Sequence, residues 1–190
     1  MSGARYAIAW GELAAIEPRP EEVSRHAPRL AAAYNDPANA PLLGHTSTLG
    51  VADVVEHYAT LAAAGAHAFL LMRDGDLAGD ADLRGLADGA GEFAFLIAAP
   101  AHQGKGLGTR FATMIHAFAF EQLGLERVYA SVIPKNVASR RVFEKLGYVP
   151  DASDGARAYG DDGDVVLRID RAAFSQQHAA ALAELRIAVR

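Results

Sequence analysis

The sequence predicts a single mixed α/β domain, and three observations carry that prediction. Short apolar runs separated by the pairs Asp74-Gly75 and Asp88-Gly89 fill the middle of the chain, a strong signal for antiparallel hairpins. The last of these runs enters a glycine-rich turn and an amphipathic helix, and a further strand follows, so one right-handed crossover joins two parallel strands. Of 190 residues, 51% are hydrophobic and 22% charged, an ordinary globular composition at a length that holds one sizeable core.

In chain order, residues 1–12 read as an N-terminal extension, although Tyr6, Ile8 and Trp10 alternate as an edge strand would. The main domain spans 13–170. Leu13–Glu17 is a short strand stopped by Pro18 and Pro20, and Glu21–Tyr34 a helix in which Pro28 marks a kink or break. Asn35–Leu43 is a loop rich in Pro and Asn, and Val51–Ala64 a second helix ending before Gly65. Ala68–Arg73, Leu77–Leu83 and Glu92–Ala98 form a three-stranded meander, with Gly85–Gly91 as its second turn. The next helix runs from about Gly106 to Leu123, with Phe111, Met114, Ile115 and Phe118 on one face. Arg127–Val132 is a strand, Asn136–Leu146 a helix stopped by Gly147, and Tyr148–Pro150 and Val165–Ile169 are strands around an acidic turn at Gly160–Gly163. A single amphipathic helix over about Arg171–Ile187 closes residues 171–190.

Composition removes several function classes. The net charge of −5 argues against a nucleic-acid partner held by phosphate contacts and suits a cationic acceptor or plain solubility. The absence of cysteine excludes thiolate catalysis, disulfides and Cys-based zinc sites. His26, His45, His57, His67, His116 and His178 are scattered without metal-ligand spacing, and His102 lies in the glycine-rich turn, so no metal is expected. No apolar run reaches the roughly 18 residues of a membrane span. A cytoplasmic monomer or homodimer is the expectation.

The chemistry concentrates in Glu92–Thr109, where a buried strand runs through Gln103-Gly104-Lys105-Gly106-Leu107-Gly108 into a helix. Such a turn gathers backbone N–H groups at the positive end of a helix dipole, which favours a pyrophosphate. A Walker loop would need Ser or Thr after Lys105, and a dinucleotide fingerprint would need G-x-G-x-x-G; neither is present. What remains is Q-x-x-G-x-G, at Gln103, Gly106 and Gly108.

That motif resembles the cofactor loop of the GNAT N-acetyltransferase superfamily. Downstream, Asn136-Val-Ala-Ser139 opening a helix that ends in Leu146-Gly147-Tyr148 resembles the second GNAT motif. Within the superfamily, the string Ser139–Tyr148 looks most like the group acting on ribosomal-protein N-termini and related small amines. The resemblance implies a twisted, mostly antiparallel sheet with a splayed parallel pair, and acetyl-coenzyme A as co-substrate. It implies that Gln103, Gly104, Lys105, Gly106, Leu107, Gly108 and Thr109 hold the pyrophosphate. Leu96, Ile97 and Ala98 would pair with the pantetheine, Asn136 and Ser139 would contact it, and Phe143 would lie beside it. The amide of Leu96 would polarise the thioester carbonyl. Lys105, Arg110, Arg140 and Lys145 are phosphate candidates.

Acetyl transfer to a primary amine, on a small molecule or a peptide N-terminus, needs an unprotonated nucleophile and hence a proton acceptor. Glu92 stands eleven positions before Gln103, the offset of the catalytic glutamate in histone-type members, and shares strand parity with Leu96; Asp80 and Asp82 are the alternatives. Where many members carry a tyrosine that protonates the leaving thiolate, this chain has Phe143, so Tyr148 or Ser139 would substitute, or solvent would serve. A non-catalytic acyl-CoA-binding module is the rival reading. The acceptor wall falls between Glu21 and Ala64, with Pro37, Pro41, Leu42, Leu43 and His45.

Overall fold

The protein is described from a computed structural model covering residues 4–43, 47–98, 104–161 and 163–190. Gln103, His102 and His45 lie outside the described residues. Among the described residues nine strands form one sheet: β1 (Tyr6–Trp10), β2 (Leu13–Ile16), β3 (His67–Arg73), β4 (Asp76–Ala87), β5 (Ala90–Ile97), β6 (Arg127–Val132), β7 (Val149–Pro150), β8 (Val165–Asp170) and β9 (Arg186–Val189). Their spatial order is β7-β8-β6-β5-β4-β3-β2-β1-β9. Every pairing is antiparallel except β5 with β6, which the crossover makes parallel. The mixed α/β class and the mostly antiparallel sheet with one parallel pair are as the sequence predicts.

The hairpin turns form for the anticipated reason. Asp74 and Gly75 have φ of 51° and 81°, and Asp88 and Gly89 of 49° and 71°, so both central residues of each turn are left-handed. The second turn is only Asp88-Gly89, because β4 continues to Ala87 and β5 begins at Ala90. The expected three-stranded meander therefore belongs to an antiparallel run of five strands, β1 to β5.

Helices cover both faces of the sheet. α1 (Pro20–Tyr34) and α2 (Val51–Ala63) pack Val23, Ala27, Leu30, Val54 and Tyr58 on Leu70 and Leu77. Pro28 does not break α1, whose two halves press the same apolar stripe onto this cluster. On the opposite face α3 (Leu107–Ala117), prolonged by a π-helical turn at Phe118–Gln122, buries Phe111, Met114, Ile115 and Phe118 on Phe69, Leu83 and Phe93. α4 (Val137–Leu146) adds Phe143 and Leu146 to that core.

Three expectations need correction. Within the expected extension at 1–12, Tyr6–Trp10 is not loose: it forms β1, which lies inside the sheet between β2 and β9. The C-terminal segment is two short helices, α6 (Arg171–Gln177) and α7 (Ala179–Glu184), followed by β9, where Ile187 pairs with Ile8. The open edge of β1 offers these last residues a ladder of backbone partners that a solvent-facing helix turn would lack. A short helix, α5 (Asp154–Arg157), stands where no element was expected, capped by the Ser153 hydroxyl accepting from the Ala156 N–H at 3.3 Å.

Candidate active site

The site starts from a defect in the sheet. β5 pairs with β6 only from Ala90↔Arg127 to Glu92↔Tyr129, whereas β6 stays paired with β8 as far as Val132. Beyond Glu92 the two parallel strands separate, opening a gap beside Phe93–Ile97. The Ala98 N–H donates to the Ala78 carbonyl at 2.8 Å. Backbone groups alternate along a strand, so the Leu96 N–H points the same way, into β4 opposite Asp80, and the Phe95 N–H faces the gap. Leu96 as oxyanion donor is therefore corrected: its amide is turned into the β4 ladder.

On the α3 face of the gap lies a cavity of about 300 Å³. Leu96, Ile97, Gly104, Gly106, Gly108, Thr109, Asn136 and Ser139 line it, so two motifs separated in sequence meet on one wall. Gly104 and Gly106 have φ of 72° and 79°, which disfavours any side chain, and a Cβ at either would meet nothing within 4 Å. Gly108 is glycine for a different reason: a Cβ there would come within 3.3 Å of both Phe95 and Val142. The first amides of α3 thus border an open cradle suited to a phosphate.

Asn136 caps α4, its Oδ1 accepting from the Ser139 N–H at 3.0 Å while its Nδ2 donates to the Leu42 carbonyl at 3.3 Å. Leu42 ends a 3₁₀ turn (Ala40–Leu42) held down by buried Asn39, which donates to Ala33 O at 2.9 Å. Asn35 closes the segment further out by exchanging hydrogen bonds with the Leu49 backbone at 2.7 and 2.8 Å. These contacts set Leu43 at the junction of two cavities.

The second cavity, about 270 Å³, lies on the α1–α2 face and shares Leu43, Phe95 and Leu96 with the first. Its floor is a face of the β4–β5 ladder on which Asp80 opposes Leu96, Asp82 opposes Ala94 and Arg84 opposes Glu92. Ala94 and Asp82, opposite each other across the ladder, both line the cavity. Tyr34, Leu49, Asp53, Val54 and His57 complete the wall. Asp80 Oδ2 accepts the hydroxyls of Tyr34 (2.5 Å) and Tyr58 (3.1 Å); burial nevertheless raises the carboxyl to about 6. Asp82 is raised further, to about 7, chiefly by burial and against the pull of Arg84, with the charges of Asp80 and Glu92 adding to the rise. Arg84 Nη1 stands 3.5 Å from Asp82 Oδ1, which has no hydrogen-bond partner.

Glu92, the expected base, is otherwise engaged. Its two oxygens accept from Arg84 Nε at 3.0 Å and Nη2 at 2.9 Å, a bidentate pair, and it lines neither cavity. Tyr148 is also corrected as a proton donor to the site. It is 6% exposed, and its hydroxyl meets His116 Nε2 at 2.5 Å inside the core. His116 Nδ1 donates to the Ala112 carbonyl at 2.7 Å, leaving Nε2 to accept, and burial lowers the ring to about 4. Phe143 packs against Phe93, Phe95 and Tyr148 without reaching the cavity, and Leu107 is buried in the same core.

Ala98 and Lys105 do not line the first cavity either. Of the phosphate candidates Lys145 lines it, and Arg141 does so in place of Arg140. Arg110 is turned away, paired with Glu12 and stacked 4.8 Å from the Trp10 ring. Arg141 was legible in principle, because Ala138, Arg141, Val142 and Lys145 follow the helical period. Asp53 and Tyr34 carried no local signal. No group of three or more His, Asp or Glu able to hold a metal occurs among the described residues, and none of their helices is long and apolar enough to cross a membrane.

Comparison with known proteins agrees with this architecture. Probable N-acetyltransferase YjcK of Bacillus subtilis is 44% identical over 48 residues, so the chain aligns with only 26% of that protein's length and 25% of its own. Mycobacterium smegmatis RimJ, solved in complex with CoA-disulfide, superposes with a TM-score of 0.74 over 97% of both chains at 16% identity. The aminoglycoside acetyltransferase AAC(6')-Ib, solved with coenzyme A, gives 0.69 over 90% of this chain and 98% of its own at 20% identity. The acetyltransferase (GNAT) domain model matches residues 19–149, from the approach to α1 through the sheet gap to the start of β7, and the chain belongs to that family.

Proposed function

We propose that the protein is an acetyl-CoA-dependent N-acetyltransferase that transfers acetyl directly to a primary amine in a ternary complex. The observation that carries this reading is the meeting of two unlike cavities at Leu43, Phe95 and Leu96. One is bordered by the glycine cradle and the α3 N-terminus, the other by buried carboxylates. The CoA-disulfide and coenzyme A with which the two similar structures were solved, and the open space for a pyrophosphate at Gly104 and Gly106, support the assignment of the first cavity to acetyl-CoA.

When bound, acetyl-CoA supplies an acetyl thioester. The chain's residues do the rest. Backbone amides of Gly106, Leu107 and Gly108 hold the phosphates, with Arg141 and Lys145 nearby, and Asn136 and Ser139 border the pantetheine arm. The Phe95 amide, facing the gap, donates to the reacting carbonyl oxygen in place of Leu96. Asp82 accepts the proton of the incoming ammonium, whose nitrogen then forms the C–N bond as the C–S bond breaks. The sulfur leaves with the electron pair and is protonated from solvent, which a thiol with a pKa of about 8.5 permits. The net products are an acetamide, the free thiol of CoA and one proton. Asp82 is preferred to Glu92 as base because it lines the acceptor cavity, whereas Glu92 is spent on Arg84. The same buried carboxylate favours an enzyme over a non-catalytic module, for which an ionisable group costly to bury would have no use.

Calorimetric titration with acetyl-CoA tests the first cavity. Gly106→Asp places a side chain at a positive φ and a negative charge in the cradle, so affinity should fall at least tenfold. A folded variant with unchanged affinity refutes the assignment.

A further inference from the structure

The acceptor cavity has a charge pattern that narrows the amine it takes. Its described lining contains three carboxylates, Asp53, Asp80 and Asp82, against one guanidinium, Arg84, and one imidazole, His57. That guanidinium is shared: it gives two hydrogen bonds to Glu92, and its Nη1 stands 3.5 Å from Asp82 Oδ1 without a hydrogen bond. Asp82 is only 9% exposed, and its Oδ1 has no hydrogen-bond partner. A buried acceptor atom left without a donor costs free energy that a ligand N–H or ammonium group would recover. Asp80 is satisfied differently, by the Tyr34 and Tyr58 hydroxyls. Asp53, near the start of α2, uses Oδ2 to accept from the Gly50 N–H at 2.6 Å and is exposed.

Resting on the acetyl-transfer reading above, we propose that the acceptor is a compact diamine or oligoamine with two positively charged nitrogens, one delivered to Asp82 beside Leu96 and the other held at Asp53. A monoamine would compensate one carboxylate and leave the wall acidic. The cavity volume of about 270 Å³ is just below the roughly 300–1,000 Å³ typical of small-molecule pockets, which favours a short aliphatic chain or a single diaminocyclitol ring. A peptide N-terminus has one cationic nitrogen and continues into a neutral backbone, which leaves the second carboxylate unmatched.

The test reads binding separately from turnover. The protein saturated with CoA is titrated calorimetrically with putrescine, cadaverine and 2-deoxystreptamine, and with n-butylamine and alaninamide as single-charge controls. At least one of the three diamines should bind on the order of tenfold tighter than both controls, and comparison within the three distinguishes an aliphatic from an aminocyclitol source. Equal affinity across the panel overturns the proposal. Asp53→Asn keeps an oxygen for the Gly50 N–H but removes the charge, and should shrink the diamine preference at least threefold; an unchanged preference overturns the assignment to Asp53. Thiol release from acetyl-CoA is scored with the same amines. Tight diamine binding without thiol release would sink the enzyme reading alone, and release with no preference for diamines would sink the acceptor class alone.

Discussion

Asp82→Asn separates a positioned base from bulk water as the proton acceptor. The substitution keeps shape and one oxygen while removing the basic site. An alkylamine with a pKa of about 10.4 is neutral in only about one molecule in 2,500 at pH 7, which sets the most that proton removal can contribute there. A positioned base contributes at least about 100-fold, so the loss at pH 7 should lie between roughly 100- and 2,500-fold, or about 2.7–4.6 kcal/mol of barrier. The pH dependence follows from burial, which raises Asp82 to about 7. The base works when ionised, so kcat/KM of the native protein should fall tenfold per unit as pH drops below 7 and level off above it. The variant must wait for free amine, so its rate should climb tenfold per unit through this range, and the gap should narrow by about that factor per unit above pH 8. Asp80 and Asp82 repel each other, so the limb belongs to the pair rather than to one carboxyl. Initial-rate thiol release between pH 6 and pH 9 is the assay. A loss that stays constant across that range refutes the base assignment and indicates damaged geometry.

Glu92→Gln should act through its neighbours: it frees Arg84 and removes a repulsion felt by Asp82, so the acid limb should move down by on the order of one unit, read from the pH profile. A profile that loses its acid limb altogether would restore Glu92 as the base. The carboxyl of Asp82 has its folded value raised from 3.8 to about 7, so folding is penalised progressively as pH rises from about 4 to 7, by up to about 4 kcal/mol, and the penalty then stays level. Asp82→Asn should therefore raise the melting temperature, more at pH 8 than at pH 5, and an equal gain at both would contradict the buried-charge explanation. Asn136→Ala removes the α4 cap and the tie to Leu42, so stability should drop by about 1 kcal/mol in urea denaturation, with a similar loss in acetyl-CoA binding. Loss of stability with binding intact would assign Asn136 to the fold alone.

The cofactor half of the site was legible because its causes are local. A strand, a glycine turn and a helix are contiguous, and the residues of the second motif share one helix, so period and turn chemistry bring Gly106, Gly108, Asn136 and Ser139 to one wall. The acceptor half depends on pairing register, which no short window encodes. Glu92 and Leu96 do share a face, as their parity requires, but the residue opposite Glu92 is Arg84, and that partner decides whether the carboxylate is a free base or half of an ion pair. Register also fixes which way the Leu96 amide points, and it sets Asp82 against the small Ala94. At Gly79 a Cβ would lie 1.9 Å from the Leu96 carbonyl oxygen, so that glycine permits the close approach of β4 to β5 beside the gap. The residue before it, Ala78, is where the β3–β4 register shifts: Leu71 pairs with Gly79 but Met72 with Leu77. The alternation of Gly79, Asp80, Ala81 and Asp82 reads as an unremarkable strand in isolation. Only the partners across the ladder turn its two carboxylates into the floor of a cavity, and with them the proposed base moves from Glu92 to Asp82.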